Sequence, residues 1–230
     1  MTGCLCGIGV GPGDPELMTI KAARRLRECP VIAIPQEDKE HCVAYRIAVD
    51  AVPEIAEKKC LYLPMPMTKD AEILHKSHEN AANRVASCLE DGQDVALITL
   101  GDATVYSTYL YIHEKISALG YPTEIVNGIP SFCAAAARLN IPLVNGAEEL
   151  HIIPASYHIE EALKLSGVKV LMKAGRQMAK VKELLQLGNY EVKMVENCGM
   201  PNEKVYESPD DIPDHAGYYS LIIVRENGGK

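Results

Sequence analysis

Short apolar runs alternate with helical segments along this 230-residue sequence, and the alternation restricts the possible folds more than any other feature. The runs 31–34 and 95–100 are almost entirely apolar, which is typical of strands buried on both faces of a parallel sheet. Amphipathic segments separate the runs, and the longest, 70–90, stops at Asp91-Gly92. The pattern therefore predicts an α/β fold.

The pattern also predicts two α/β domains. Predicted strands lie at 5–10, 31–34, 61–64, 95–100, 123–126, 151–154, 168–173, 190–197 and 218–225, with a further strand at 203–206. Predicted helices lie at 15–28, 41–51, 70–90, from Asp102 to 118, and at 131–139, 158–166 and 176–187. The turn-rich segment 140–150 separates the two series, so we expect domains at 1–145 and 146–230.

Composition excludes several classes of protein. The formal net charge is −8 and the sequence contains no block of Lys and Arg, so we expect no nucleic-acid partner. No apolar run reaches the length of a membrane span, and the N-terminus lacks the basic start of a signal peptide, so we expect a cytoplasmic protein with no membrane partner. The eight cysteines form no CxxC pair, which favours free thiols over a metal site.

The first glycine-rich loop, Gly9-Val10-Gly11-Pro12-Gly13-Asp14, follows a strand and precedes a helix. A phosphate-binding turn would occupy this place, but the spacing is GxGxG rather than GxGxxG. Asp14 would repel a pyrophosphate, and the next strand ends in Ala33-Ile34-Pro35-Gln36 instead of a ribose-binding acid. The loop is therefore a poor match for nucleotide phosphates, and a tight structural turn remains an alternative.

Two further loops follow predicted strands at the same sheet edge. These are 99–103, with Gly101 and Asp102, and 127–131, with Gly128. Ligands of open α/β sheets dock at the carboxyl ends of the strands, and glycine lets a ligand approach the backbone. Asp102 is predicted to cap the following helix, to accept hydrogen bonds from a bound polar group, or to do both.

At these loops the sequence resembles the tetrapyrrole methyltransferase superfamily. The matching motifs are Gly9–Thr19 (GVGPGDPELMT), Leu100-Gly101-Asp102 with Tyr106 beyond, and Gly128-Ile129-Pro130-Ser131-Phe132 before an alanine-rich helix. Leu63–Asp70 (LPMPMTKD) and Tyr106-Ser107-Thr108-Tyr109 resemble one branch most closely, the precorrin-2 / cobalt-factor II C20-methyltransferases of cobalamin synthesis. The resemblance extends along nearly the whole chain.

The resemblance implies two α/β domains of the tetrapyrrole methylase type, with S-adenosylmethionine in the cleft between them. It also implies a homodimer and a small-molecule tetrapyrrole substrate, precorrin-2 or cobalt-factor II. The matching cofactor-binding positions are Pro12, Leu100, Gly101, Asp102, Val105, Tyr106, Ser131, Phe132, Met172, Lys173 and Ser220. The family usually has proline after Gly-Asp, and Ala103 here leaves the geometry of that loop open.

Methyl transfer to an electron-rich ring carbon chiefly needs alignment and exclusion of water. We therefore expect no catalytic triad, and Asp102, Tyr106 and Tyr109 are the candidates for handling the proton that leaves C20. The substrate implied by the resemblance carries many carboxylates, for which the candidate cations are Lys21, Arg24, Arg138, Lys173 and Arg176.

Several alternatives remain open at this point. The chain could methylate another tetrapyrrole carbon or a protein histidine, bind a tetrapyrrole without catalysis or, as a more distant possibility, be an NAD-linked oxidoreductase.

His75 and His78 lie one helical turn apart with Glu79 beside them, but no third metal ligand follows from the sequence. We expect these side chains to form a solvated helix face and predict no metal site.

Overall fold

The computed structural model describes residues 2–66, 68, 70–154 and 159–227, and the side chain of Arg176 is not described. The chain divides into two compact units, Met1–Pro130 and Ser131–Lys230. Each unit contains a sheet and helices, which confirms the predicted α/β fold. The predicted domain boundary at residue 145 stays a prediction. Met67 and Lys69, which belong to one of the quoted motifs, lie outside the described residues.

The first unit is built on a five-stranded parallel sheet. Its strands are β1 (Leu5–Gly9), β2 (Val31–Ile34), β3 (Lys59–Tyr62), β4 (Val95–Thr99) and β5 (Thr123–Val126), in the order β3-β2-β4-β1-β5. Because all five strands run the same way, the loops that follow them share one edge of the sheet.

Helices cover both faces of this sheet, which explains why its strands are nearly continuous apolar runs. They are α1 (Ile20–Glu28), α2 (Val43–Ala51), α3 (Ala71–Glu90) and α4 (Tyr109–Ala118). One buried cluster joins the sheet to α1 and α2 through residues such as Leu26 and Ile47. The other joins it to α3 and α4 through residues such as Val85 and Ile112.

The second unit begins with α5 (Ser131–Arg138) and carries a mixed five-stranded sheet in the order β6-β7-β10-β8-β9. The strands are β6 (Leu150–Pro154), β7 (Val168–Met172), β8 (Tyr190–Glu196), β9 (Lys204–Tyr206) and β10 (Ser220–Glu226); the helices are α6 (Ile159–Leu163) and α7 (Met178–Leu187). Only β6 and β7 pair in parallel, and the other pairs are antiparallel. Helices α6 and α7 enclose a third apolar cluster against this sheet.

Among the predicted helices, two show the largest differences from the observed ones. The predicted helix 15–28 is interrupted: Asp14 caps a short 3₁₀ helix, Pro15–Leu17, and Thr19 caps a separate α1 through a hydrogen bond from the Ala22 amide. The predicted helix after Asp102 begins only at Tyr109, because a turn occupies the intervening residues.

No helix in the described segments is long and apolar enough to cross a membrane. All eight cysteines are free thiols, and four of them are buried.

Candidate functional site

Two glycine turns join at the carboxyl edge of the parallel sheet. The Gly101 amide donates to the Gly11 carbonyl at 2.8 Å, and the Gly11 amide donates to the Gly101 carbonyl at 3.2 Å. Both glycines have positive φ, 85° at Gly11 and 72° at Gly101, which L side chains rarely adopt. The loops that follow β1 and β4 are therefore held together through their backbones.

The third loop packs against the other two without room for side chains. A Cβ atom added to Gly128 would lie 2.1 Å from the Gly101 carbonyl oxygen and 2.8 Å from that of Gly9. A Cβ added to Gly9 would lie 2.6 Å from the Gly128 nitrogen. The predicted convergence of three loops at one edge is thus a direct backbone contact within the first unit.

Asp102 ties these loops together through both oxygens of its carboxylate. Oδ1 accepts hydrogen bonds from the Thr104 amide, at 2.7 Å, and from the Thr104 hydroxyl. Oδ2 accepts from the Gly128 amide at 2.9 Å and from Asn127 Nδ2 at 3.2 Å. The side chain is buried, and Asn127 and Gly128 come from the third loop. The helix-cap hypothesis for Asp102 is wrong, because its partners lie in loops and α4 begins seven residues later.

These hydrogen bonds also determine the charge of Asp102. Burial by itself would raise the pKa of this carboxyl group, but the donors from Thr104, Asn127 and Gly128 together outweigh burial, and the pKa lies below its usual value. The group is therefore an anion at neutral pH and leaves a fixed negative charge beside the glycine turns.

Other predicted residues of the first unit lie on the same loops. Pro12 is buried next to the Gly11–Gly101 pair, Leu100 is partly buried, and Val105 follows the Asp102 turn. Tyr106 has a positive φ of 49°, unusual for a tyrosine, and its side chain is 51% exposed. Strained backbone of this kind often marks a functional loop.

Tyr109 has a different environment from Tyr106. Its ring is fully buried against Gly7 of β1, where an added Cβ would lie 2.2 Å from the ring. Its hydroxyl group donates to the carbonyl of Glu124, near the start of β5, and lies 2.9 Å from His113 Nδ1. Burial raises the pKa of Tyr109. These contacts lie away from the carboxyl edge and favour a packing role over proton handling.

In the second unit, Met172, Lys173 and Ser220 lie together. Met172 ends β7 opposite Leu221 of β10, which places Lys173 beside Ser220 at the start of β10. The Lys173 backbone has a φ of 59°, and its ammonium group lies 5.6 Å from the centre of the Tyr218 ring. Ser220 is 3% exposed, and its Oγ has no hydrogen-bond partner among the described residues. Buried polar groups are normally paired, so a bound ligand is a natural partner for this hydroxyl.

Ser131 and Phe132 are the first two residues of α5. Ser131 is partly buried and Phe132 is buried.

The second unit also contains a residue that sequence reasoning missed, Glu196 at the end of β8. Its Oε1 accepts a hydrogen bond from the Gly217 amide at 2.6 Å, which fixes the segment just before Ser220.

The sequence also did not point to Thr104 or Asn127 as parts of the site. An Asp-x-Thr sequence after a strand is a signal for a side-chain-closed turn, and it would have found Thr104. Ala103, whose effect on the loop was left open, is fully buried inside this turn, so the turn is closed without the family's proline.

Three of the five predicted carboxylate-binding cations are already paired. Lys21 lies 2.7 Å from Glu124, Arg24 lies 3.3 Å from Glu28, and Arg138 forms an ion pair with Glu203. The Lys173 ammonium lies over the Tyr218 ring, and the Arg176 side chain lies outside the described atoms.

The two helix histidines differ from one another. The His78 ring is buried, against the predicted solvated face, and stacks on Tyr111 with ring centres 4.7 Å apart. Burial lowers the pKa of His78. His75 is exposed and lies 3.6 Å from Glu79. Over the described residues there is no group of three or more His, Cys, Asp or Glu side chains that could hold a metal ion.

Comparison with known proteins places this arrangement in a family. The family model of tetrapyrrole (corrin/porphyrin) methylases matches residues 5–211. A probable cobalt-precorrin-2 C(20)-methyltransferase of Methanocaldococcus jannaschii is 36% identical over 223 residues, covering 95% of this chain and 94% of that protein. The cobalt-precorrin-2 C(20)-methyltransferase of Salmonella typhimurium is 34% identical over 240 residues, covering 98% of both chains.

Solved structures share the fold at lower identity. A cobalt precorrin-4 methyltransferase superposes with a TM-score of 0.77 at 19% identity, covering 96% of this chain and 94% of that one. The uroporphyrin-III C-methyltransferase of Thermus thermophilus, in complex with S-adenosylhomocysteine, gives a TM-score of 0.69 at 21% identity, covering 97% and 98%.

Proposed function

Because the chain belongs to the tetrapyrrole (corrin/porphyrin) methylase family, we propose that it transfers a methyl group from S-adenosylmethionine to C20 of precorrin-2, or of its cobalt-bearing form, in cobalamin biosynthesis. The observation that carries the proposal is the match along nearly the full length of both chains to relatives that carry this name. A relative named for another carbon, a precorrin-4 C(11)-methyltransferase of Mycobacterium tuberculosis at 31% identity, matches over only 57% of the chain.

The residues of the site fit S-adenosylmethionine. This cofactor supplies an electrophilic methyl group on a sulfonium cation. A cation is favoured by the ionised Asp102 and by carbonyl oxygens, and the glycine turns bring backbone oxygens close to the edge of the sheet. In the second unit, the unpartnered Ser220 hydroxyl offers a hydrogen bond to a polar ligand. We propose that both units contribute to binding through the positions named from the sequence.

The chain's own residues mainly position and orient the reactants. The four hydrogen bonds on the Asp102 oxygens make it a positioning residue rather than a free base. Tyr106, with its exposed ring on the adjoining loop, is the better candidate for accepting or relaying the proton that leaves C20. Alignment and exclusion of water by the loops supply most of the rate enhancement in such a design.

The direct test is incubation with S-adenosylmethionine and either precorrin-2 or cobalt-precorrin-2, followed by mass spectrometry and NMR of the product. We expect one added methyl group on C20, and the preferred substrate form will show whether cobalt is required. A methyl group on another carbon would replace the C20 assignment. Saturable binding of S-adenosylhomocysteine in calorimetry is expected, and its absence would favour a tetrapyrrole carrier without catalysis.

Ser220 provides a residue-level test in the second unit. We expect Ser220→Ala to leave the thermal unfolding temperature unchanged, because the hydroxyl group has no partner within the described chain. The affinity for S-adenosylhomocysteine should fall about threefold to tenfold, the effect of one lost hydrogen bond. Unchanged affinity with unchanged stability would remove Ser220 from the site.

We further propose that the protein is a cytoplasmic homodimer. The eight free thiols are consistent with a reducing compartment. Light scattering coupled to gel filtration would show whether the mass is twice 25.1 kDa, and a monomeric mass would refute the dimer.

A further inference from the structure

Helix α3 extends past the carboxyl edge of the parallel sheet. Arg84 donates a hydrogen bond to the carbonyl of Tyr62, the last residue of β3, so this part of the helix is level with the end of the strand. The helix begins at Ala71, so roughly 20 Å of it precedes Arg84. The Ser77 hydroxyl donates to the carbonyl of Pro64 at 2.9 Å, again beyond the strand end. The first half of α3 therefore lies beyond the carboxyl edge of the sheet, the same edge at which the glycine turns lie.

Helix α3 and the residues that follow β3 line a groove of about 600 Å³. Its lining contains both apolar residues and basic or polar residues. The lining residues include Leu63, Ile73, Lys76, Asn80, Ala81 and Arg84. Ile73, Lys76, Asn80 and Arg84 recur at intervals of three or four residues, so they lie on one face of the helix.

Both cations of the groove lack an acidic partner. Within the described part of the chain, no carboxylate lies at ion-pair distance from Lys76 or Arg84; Glu79, three residues beyond Lys76, lies beside His75 instead. This contrasts with the paired cations Lys21 and Arg24 of α1. In a chain with a net charge of −8, two unpaired cations on one groove favour an anion over a cationic or neutral ligand.

We propose that Lys76 and Arg84 bind carboxylate side chains of the tetrapyrrole substrate, whose adjoining methylene groups pack on the apolar residues that line the groove. This inference rests on the proposed function, since precorrins carry acetate and propionate groups. The spacing suits that ligand: an ammonium group and a guanidinium group about two helical turns apart can each hold one carboxylate. Asn80 lies between them and supplies a neutral amide.

The test compares charge-removing and charge-keeping variants. We expect Lys76→Gln and Arg84→Gln each to raise the KM for precorrin-2 about tenfold, the effect of losing one charge-assisted hydrogen bond, with kcat little changed. Lys76→Arg should restore most of the loss. Lys164→Gln, which removes an exposed lysine paired with Glu161 in the second unit, is the matched control and should leave KM unchanged.

A binding measurement separates this inference from the proposed function. Fluorescence titration with uroporphyrin, a stable polycarboxylate porphyrin, should show weaker and less salt-dependent binding in Lys76→Gln and Arg84→Gln than in the unaltered protein. Calorimetry with S-adenosylhomocysteine should give the same affinity in all variants.

Arg84→Lys keeps the charge and removes the guanidinium contact to Tyr62, so it distinguishes a local structural effect from lost charge. Active protein with equal KM and equal porphyrin affinity in both Gln variants would overturn the groove proposal alone. A protein that binds S-adenosylhomocysteine but does not methylate C20 would overturn the proposed function instead, and the porphyrin titration would still decide whether the groove binds carboxylates.

Discussion

The two ends of strand β1 are built in different ways. At the carboxyl end, Gly9 and Gly11 meet other loops through backbone atoms, and the Asp102 carboxylate accepts a hydrogen bond from the Gly128 amide. At the amino end, side chains fill the space: Arg25 lies 2.7 Å from Cys6 Sγ, 2.8 Å from a Glu28 oxygen and 3.0 Å from a Glu124 oxygen.

The charged groups and thiols at the amino end of β1 interact with one another. A hydrogen bond from Cys29 lowers the pKa of the Cys6 thiol; burial opposes this shift, and the Arg25 charge reinforces it. Burial and the neighbouring Cys6 raise the pKa of Cys4 to about 12, so Cys4 keeps its proton. The Arg25 charge has two carboxylate partners here, Glu28 and Glu124, whereas the carboxyl end leaves backbone and a fixed negative charge beside the glycine turns. The comparison indicates that one edge serves stability and the other serves binding.

The largest effect is expected from a methyl group at the loop junction. Gly128→Ala should cost about 3 kcal/mol or more of unfolding free energy, because the added carbon would lie 2.1 Å from the Gly101 carbonyl oxygen. Urea unfolding measures the loss. Gly146→Ala is the control: its φ is 53° but no atom lies within 4 Å of the added carbon, so it should cost only about 1 kcal/mol. Equal losses would mean that the close approach of the loops does not constrain the fold.

Asp102→Asn should have the next largest effect, about 2 kcal/mol, because an amide nitrogen would face the donors of Gly128 or Thr104. The lowered pKa of Asp102 determines how its contribution to stability changes with pH. The folded-state pKa of Asp102 is lowered, so its stabilising contribution is fully present above the unfolded value near 3.9 and is lost as pH falls through the folded value.

The stability difference between the two proteins should therefore be constant from about pH 7 to about pH 5 and shrink below about pH 4. Urea unfolding across this range measures it. A difference that stays constant into acid would show that the Asp102 charge does not stabilise the loops.

Parts of the fold could be predicted from the sequence, and other parts could not. The strands 31–34 and 123–126 were predicted with their observed limits, because apolar periodicity and flanking turns are local signals. The helix 15–28 was predicted without its interruption, because the capping bond from Ala22 to Thr19 competed with the continuous helical pattern.

The same distinction applies to the candidate site: local motifs could be predicted from the sequence, and long-range contacts could not. The glycine loops and Asp102 followed from local motifs, but the bond from the Gly128 amide to Asp102 joins residues 26 positions apart and depends on the packing of β1, β4 and β5. The groove on α3 could not be predicted because nothing in the sequence says which cations lack an acidic partner; only the folded arrangement shows that Lys21 and Arg24 are paired.

The smallest effect is expected at the amino end. Arg25→Gln should cost about 1 kcal/mol, since its partners Glu28 and Glu124 are both partly exposed. A double-mutant cycle with Glu124→Gln should give a coupling energy below about 1 kcal/mol, because Lys21 remains 2.7 Å from Glu124 and keeps part of its pairing. The affinity for S-adenosylhomocysteine should stay within about twofold of the unaltered protein, a free-energy change of roughly 0.4 kcal/mol. A larger loss of affinity at equal stability would show that the two ends of β1 are energetically coupled, and the division between a stabilising edge and a binding edge would then be wrong.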